Sequence, residues 1–256
     1  DLAVTPPVGL SYVATAAKAD GHDVAVVDLL LSGNGEGSLH RALHQHRPEV
    51  VGFSVRNIDS CSKQRPAWQV GDVARHIEIV REAGNARVVL GGPAVSVLGP
   101  EVFTSLPADY AVVGEGEVAF PALLRMLSRG EPVGGIPGVY ARDRSAIDGT
   151  APDRLPCFGR SGMEEWIDWP AYRRRSGTWA VQTKRGCPMH CVYCAYPGIE
   201  GAKLRCRTAQ EVADEIEHVA KTLRPRTFEI VDSTFNLPTS HAIEICEEIA
   251  RQLNVW

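Results

Sequence analysis

The sequence predicts an α/β protein in two parts, a flavodoxin-like doubly wound sheet followed by a linker and two further βα units. Three observations predict it. Over residues 1 to about 130, short β-rich runs alternate with amphipathic stretches, the pattern of parallel βαβ units. The amphipathic stretches end at glycines, where a left-handed helix cap costs least. The 256 residues also exceed what one compact core usually needs, so one large or two ordinary domains are expected.

In chain order, strands are expected at Leu2 to Thr5, Asp23 to Leu30, Val50 to Val55, Arg87 to Gly91 and Tyr110 to Val113. The first intervening helix carries Leu10, Val13, Ala14 and Ala17 on one face and stops at Gly21. A later helix carries Val70, Val73, Ala74, Ile77 and Val80 before Gly84, and another Phe120, Leu123, Leu124 and Leu127 before Gly130. In a doubly wound sheet of this kind, ligands sit outside the carboxyl ends of the strands at the topological switch point. Residues 134–177 are punctuated by Gly134, Gly135, Pro137, Gly138, Pro152, Pro156 and Pro170, and read as a short hairpin and linker. A strand at Trp179 to Thr183 follows. Thr208 and Glu211 then form a capping box for a helix with Val212, Ile216, Val219, Ala220 and Leu223 on its apolar face. A strand at Thr227 to Val231 and a helix with Ile243, Ile249 and Leu253 complete the series. Two βα units cannot close a sheet of their own, so residues 178–256 read as the first portion of a longer domain.

Composition narrows the function. Apolar residues make up 44%, charged residues 23% and aromatics 7%, which excludes a disordered or fibrous chain. The longest apolar runs are too short to span a bilayer, so no membrane partner is expected. With 27 basic against 31 acidic residues the net charge is -4, without the basic footprint that nucleic-acid binding needs. The run Arg173-Arg174-Arg175 reads as solvated linker. The chain opens on Asp1 without a signal-peptide pattern, as expected of a fragment or trimmed product of a cytoplasmic protein.

The 7 cysteines are an odd number, and three of them, Cys187, Cys191 and Cys194, crowd into one short stretch. This is metal-ligand spacing rather than a disulfide framework. The stretch Lys184-Arg185-Gly186-Cys187-Pro188-Met189-His190-Cys191-Val192-Tyr193-Cys194 contains C-x3-C-x2-C. Three soft thiolates on one loop can bind three irons of a cubane cluster and leave the fourth without a protein ligand. The alternatives are a structural zinc site, borrowing His190 or Cys206 as fourth ligand, and a chance cluster. Cys61, Cys157 and Cys246 read as ordinary thiols.

C-x3-C-x2-C with an aromatic residue before its last cysteine resembles the radical S-adenosylmethionine enzymes. The resemblance implies that Cys187, Cys191 and Cys194 hold a 4Fe-4S cluster. S-adenosylmethionine would chelate the open iron, and its reductive cleavage would give a 5'-deoxyadenosyl radical. Tyr193 would neighbour the adenine. Residues 178–256 would then be the N-terminal part of a radical (β/α) partial barrel. Asp232, at the end of the strand beside the cluster loop, is the first candidate to receive the methionine amino group, with Ser233 and Thr234 after it. The other reading is a strand-to-helix turn whose Asp and Ser satisfy local backbone donors. Arg205 and Arg207 are candidates for the methionine carboxylate, against a solvated helix start.

Residues 1–133 resemble the cobalamin-binding domain of the cobalamin-dependent radical S-adenosylmethionine enzymes. The matching features are Pro6-Pro7-Val8-Gly9-Leu10, Gly21-His22-Asp23-Val24, Pro48-Glu49-Val50-Val51-Gly52-Phe53-Ser54, Gly91-Gly92-Pro93 and Gly114-Glu115-Gly116-Glu117. By this resemblance Pro7, Gly9, Leu10, Ser54, Val55, Arg56, Asn57, Gly91, Gly92, Pro93, Gly114, Glu115 and Gly116 would line the corrinoid. The glycines would let backbone approach a large planar macrocycle. Asp20-Gly21-His22 is the one Asp-x-His, but it lies at a helix-to-strand turn, on the wrong edge of the sheet for a cobalt ligand.

The resemblance implies methyl transfer to a poorly activated carbon, by radical or polar chemistry. The substrate would be a small molecule or peptide, and an external flavodoxin- or ferredoxin-type protein would supply electrons. Rival expectations are a radical cyclase or rearrangement enzyme, a non-catalytic corrinoid carrier or sensor with structural zinc, and a flavodoxin-like electron-transfer module. Thiols kept reduced for a cluster also fit a cytoplasmic location.

Overall fold

The computed structural model describes residues 4–60, 64, 67–142 and 152–253. The chain forms two compact units, one of residues 12–154 and one of residues 155–256 together with residues 1–11. Helix α1 (Val8–Ala19) is followed by the turn at Gly21, as its apolar face and glycine stop predict. Residues 23–30, where a strand is expected, run as coil into a turn and join no sheet among the described residues. Asp23 to Val26 keep the alternating exposure of a strand without a ladder partner among the described residues. The expected strand at residues 2–5 lies partly outside the described residues.

Helix α2 (Gly35–His46) is a sequence-stretch with little periodic signal, because only Leu39 and Leu43 of its twelve residues are buried. Its start is fixed instead by Asn34, whose side chain accepts from the Gly37 amide at 2.8 Å. Then come β1 (Val50–Ser54), α3 (Val70–Ala83), β2 (Arg87–Gly91), α4 (Pro93–Leu98), α5 (Val102–Ser105), β3 (Tyr110–Val112), α6 (Gly116–Ser128) and β4 (Val139–Ala141). The sheet order is β1-β2-β3-β4. The first three strands are parallel, and β4 adds an antiparallel edge.

Strand β2 shows why the sheet is doubly wound. Val88 and Leu90 pack into a core with Ile77 and Val80 of α3, whereas Val89 packs on the other face with Val112, Ala119, Leu123 and Val139. A strand buried on both faces reads as a continuous apolar run, here Val88-Val89-Leu90. Residues 139–141, within the stretch that reads as hairpin and linker, thus belong to this sheet.

The second unit contains α7 (Met163–Trp166), α8 (Trp169–Arg175), β5 (Thr178–Val181), β6 (Lys184–Arg185), α9 (Tyr196–Glu200), β7 (Arg205–Cys206), α10 (Ala209–Thr222), β8 (Thr227–Ile230) and α11 (Thr239–Leu253). Strands β5 and β8 pair in parallel, and β6 and β7 pair antiparallel. Trp169 and Trp179 meet edge to face at 5.2 Å, and the Trp169 indole donates to the Leu223 carbonyl at 2.8 Å. The capping box on α10 is complete: Thr208 and Glu211 each bond the other's backbone amide. That backbone bond holds the Glu211 carboxyl below its ordinary range. Among the described residues no helix is long and apolar enough to cross a membrane.

Candidate functional site

The cysteine loop leaves the carboxyl end of β6 through Gly186. Its φ is +86°, and a Cβ there would stand 2.2 Å from the Lys203 carbonyl oxygen, so no other residue fits. The loop base is pinned beyond that turn. The Gly186 amide donates to Glu200 Oε2 at 3.1 Å, and the Cys187 amide donates to the Gly201 carbonyl at 3.0 Å. Gln182 holds the same carboxylate through Oε1 at 3.1 Å. Cys187 is buried, Cys194 half-buried and Cys191 exposed, and all three are free thiols. A turn ties the last two, with the Cys194 amide donating to the Cys191 carbonyl at 3.1 Å.

Met189, Val192, Tyr193 and Tyr196 hold their apolar side chains in solvent around these thiols. Among the described residues no three His, Cys, Asp or Glu side chains are grouped for a single metal ion. The donor set fits a multi-iron cluster by its chemistry: three soft thiolates on one glycine-hinged loop, ranging from buried to exposed.

The loop after β8 lies against this base. Asp232 Oδ1 accepts from the amides of Thr183 at 2.7 Å and Lys184 at 3.1 Å, and Oδ2 accepts from the Thr183 hydroxyl at 2.5 Å. Ser233 donates to the Gly186 carbonyl at 3.1 Å, and Thr234 donates to Asn236 Oδ1 at 3.2 Å. The structure therefore brings Asp232 and Ser233 to the root of the cysteine loop. Lys184 is fully buried, and its ammonium donates to the carbonyls of Phe235 at 2.5 Å and Leu237 at 3.4 Å. Burial pulls this ammonium below the ordinary lysine range, and the Asp232 carboxylate opposes that shift. Sequence reasoning passed over Lys184, Thr183 and Glu200. Their one signal is position, on the stretch that leads into the first cysteine or shortly after the last.

The two arginines considered for a carboxylate are committed internally. Arg205 donates to the carbonyls of Leu155 at 2.9 Å and Glu200 at 2.6 Å. Arg207 is buried, 2.6 Å from Glu215, and donates to the Gln182 and Glu211 carbonyls. Cys157, Cys206 and Cys246 are exposed, and Cys61 lies outside the described residues.

In the first unit, the candidate corrinoid residues crowd the carboxyl ends of β1, β2 and β3. The Val55 amide donates to the Gly91 carbonyl at 2.8 Å, and the Ala94 amide donates to the Val55 carbonyl at 3.1 Å. Ser54, Arg56, Asn57 and Pro93 are exposed there. The glycines divide by what stands where a Cβ would be. Gly114, at φ +84°, would meet Pro152 at 2.6 Å, Gly116 would meet Val13 at 2.8 Å, and Gly92 would meet the Val55 backbone at 2.7 Å. At Gly91 the nearest atom is the Val112 carbonyl oxygen, 3.8 Å away. Glu115 is buried and stands 3.5 Å from Arg154. In the other unit, Gly9 has open space around it, with Pro7 and Leu10 half-buried. His22 Nε2 lies 3.4 Å from Asp20 at the turn after α1.

Residues 2–124 match the B12 binding domain family. A methyltransferase of Pyrococcus horikoshii is 27% identical over 258 residues, covering 96% of this chain and 53% of that relative. Hopanoid C-3 methylase of Methylococcus capsulatus is 26% identical over 257 residues, covering 96% of this chain and 46% of the relative. The chain thus spans about half the length of these curated relatives. The solved structure of the radical S-adenosylmethionine methyltransferase TsrM from Kitasatospora setae, with cobalamin and a 4Fe-4S cluster bound, superposes with a TM-score of 0.86 at 28% identity. That match covers 100% of this chain and 51% of the other.

Proposed function

We propose that the chain belongs to the cobalamin-dependent radical S-adenosylmethionine enzymes, and that the whole enzyme transfers a methyl group to a poorly activated carbon. The observation that carries the proposal is the pinned three-cysteine loop of one unit, encoded beside a corrinoid-type sheet in the other. The relative named as a C-3 methylase supports carbon as the acceptor.

Cys187, Cys191 and Cys194 would hold the 4Fe-4S cluster, with Gly186 setting the path of the loop. When bound, the cluster, S-adenosylmethionine and cobalamin supply the electron-transfer, radical and methyl-transfer chemistry. The chain's own residues bind and orient. Tyr193, exposed beside Cys194, would cover the adenine; Ser233, Thr234 and Asp232 would form the polar rim near the methionine end. In the sheet unit, Ser54, Val55, Arg56, Asn57, Gly91, Gly92 and Pro93 would face the corrinoid, with Gly114, Glu115 and Gly116 shaping the adjoining loop. A small molecule or peptide would be the methyl acceptor, a flavodoxin- or ferredoxin-type protein would deliver electrons, and a reducing cytoplasm would protect the thiols.

The test is anaerobic reconstitution with iron and sulfide, followed by metal and sulfide analysis and by absorbance after incubation with hydroxocobalamin. Iron with sulfide, together with retained corrinoid absorbance, is the expected result. One zinc per chain without sulfide overturns the radical assignment, and flavin uptake in place of corrinoid overturns the cobalamin assignment.

A further inference from the structure

Two segments about fifty residues apart in sequence are joined at the root of the cysteine loop. Residues 183–186 and 232–237 share six hydrogen bonds: three into the Asp232 carboxylate, one from Ser233 to the Gly186 carbonyl, and two from the Lys184 ammonium. Lys184 contributes at both ends of this brace, through its backbone amide and its side chain. Its Nζ also stands 5.1 Å from the centroid of the Phe235 ring, within cation–π range.

A wholly buried lysine is costly in a packed core, where methionine of similar length would fill the space without desolvating a charge. What lysine supplies and methionine cannot is a charged donor aimed at two carbonyls of one loop. We propose that Lys184 is a positioning residue, which fixes the 233–237 loop against the root of the cysteine loop so that both present their polar groups in one arrangement. The inference rests on the reading of the cysteine loop as a cluster and S-adenosylmethionine site. It adds that affinity for S-adenosylmethionine depends on a residue whose ammonium is spent on the Phe235 and Leu237 carbonyls.

Lys184→Met in the whole enzyme, reconstituted anaerobically, tests it. Iron and sulfide content should match the wild type, because the three thiols are intact. Affinity for S-adenosylmethionine should fall at least about tenfold, the scale of losing charge-assisted hydrogen bonds. The change that S-adenosylmethionine induces in the paramagnetic resonance spectrum of the reduced cluster should be lost or altered. Thr183→Val removes the hydroxyl bond to Asp232 at nearly constant volume, and should shift the same two readouts in the same direction.

A Lys184→Met enzyme with full cluster content, wild-type affinity and a wild-type spectral response overturns the inference. If that variant does not fold, Thr183→Val decides alone, and a wild-type response overturns it. Failure of the wild type itself to take up sulfide is separate: it overturns the cluster reading, and this inference with it.

Discussion

Cys191 and Gly91 show how differently two residues of one proposed enzyme can be tested. Cys191 is exposed, so Cys191→Ala leaves the fold within about 0.5 kcal/mol of the wild type. It should nevertheless abolish cluster assembly; an unchanged iron and sulfide count after reconstitution would refute its role. Gly91 has room for a methyl group, whereas Gly114 has neither the space nor an ordinary φ. Gly91→Ala should therefore leave the melting temperature within about 2 °C. It should weaken hydroxocobalamin binding about tenfold, the scale of one methyl group forced into a packed contact. Gly114→Ala should instead destabilise the unit by at least about 1 kcal/mol, since it adds both left-handed strain and a clash with Pro152. Binding titrations and melts on the two variants check the division. The cysteine motif was legible because its spacing is local. The brace was not, because the carbonyls Lys184 reaches belong to Phe235 and Leu237, and no local pattern ties them to it.

At the scale of elements, helices with two independent signals were legible. Helix α10 carries both an apolar face and a capping box, and the structure reproduces both. Thr208→Ala should lower stability by about 1 kcal/mol, as measured by denaturant unfolding. Helix α2 lacked that redundancy, with two buried leucines among polar residues and glycines. Strand β4 was blurred for another reason: three residues after Pro137-Gly138, in a stretch that reads as hairpin and linker, show no partner until β3 supplies one.

Helices α1 and α6 also bear on acid stability. Arg125 of α6 lies 2.5 Å from Asp20, just past α1, and this hydrogen bond holds the Asp20 carboxyl below its ordinary value. A depressed carboxylate pKa means that the unfolded chain takes up the proton first. The contribution is therefore present above the unfolded-state value and lost as pH falls through the folded one. The stability gap between wild type and Arg125→Met should shrink as pH is lowered through the carboxylate range. A gap that stays constant from neutral pH to pH about 3 would show that the tie is not electrostatic.

For the whole molecule, the division into two compact units has a thermodynamic consequence. A chain of separate cores need not unfold in one step, and a ligand raises the transition of the unit to which it binds. A corrinoid at about 100 times its Kd contributes about 2.7 kcal/mol, which for a unit of this size corresponds to about 5–10 °C. Calorimetry with saturating hydroxocobalamin should therefore raise the transition of the unit formed by residues 12–154, where most of the proposed corrinoid residues lie. Heating under a chelator after cluster assembly should lower the transition of the unit that carries Cys187, Cys191 and Cys194, because a thiolate-bound cluster stabilises the loop that holds it. The pair of experiments separates the two cofactor assignments. If corrinoid moves no transition while the cluster moves one, the sheet is an ordinary doubly wound core whose edge glycines serve packing alone, as Gly114 and Gly116 already do toward Pro152 and Val13.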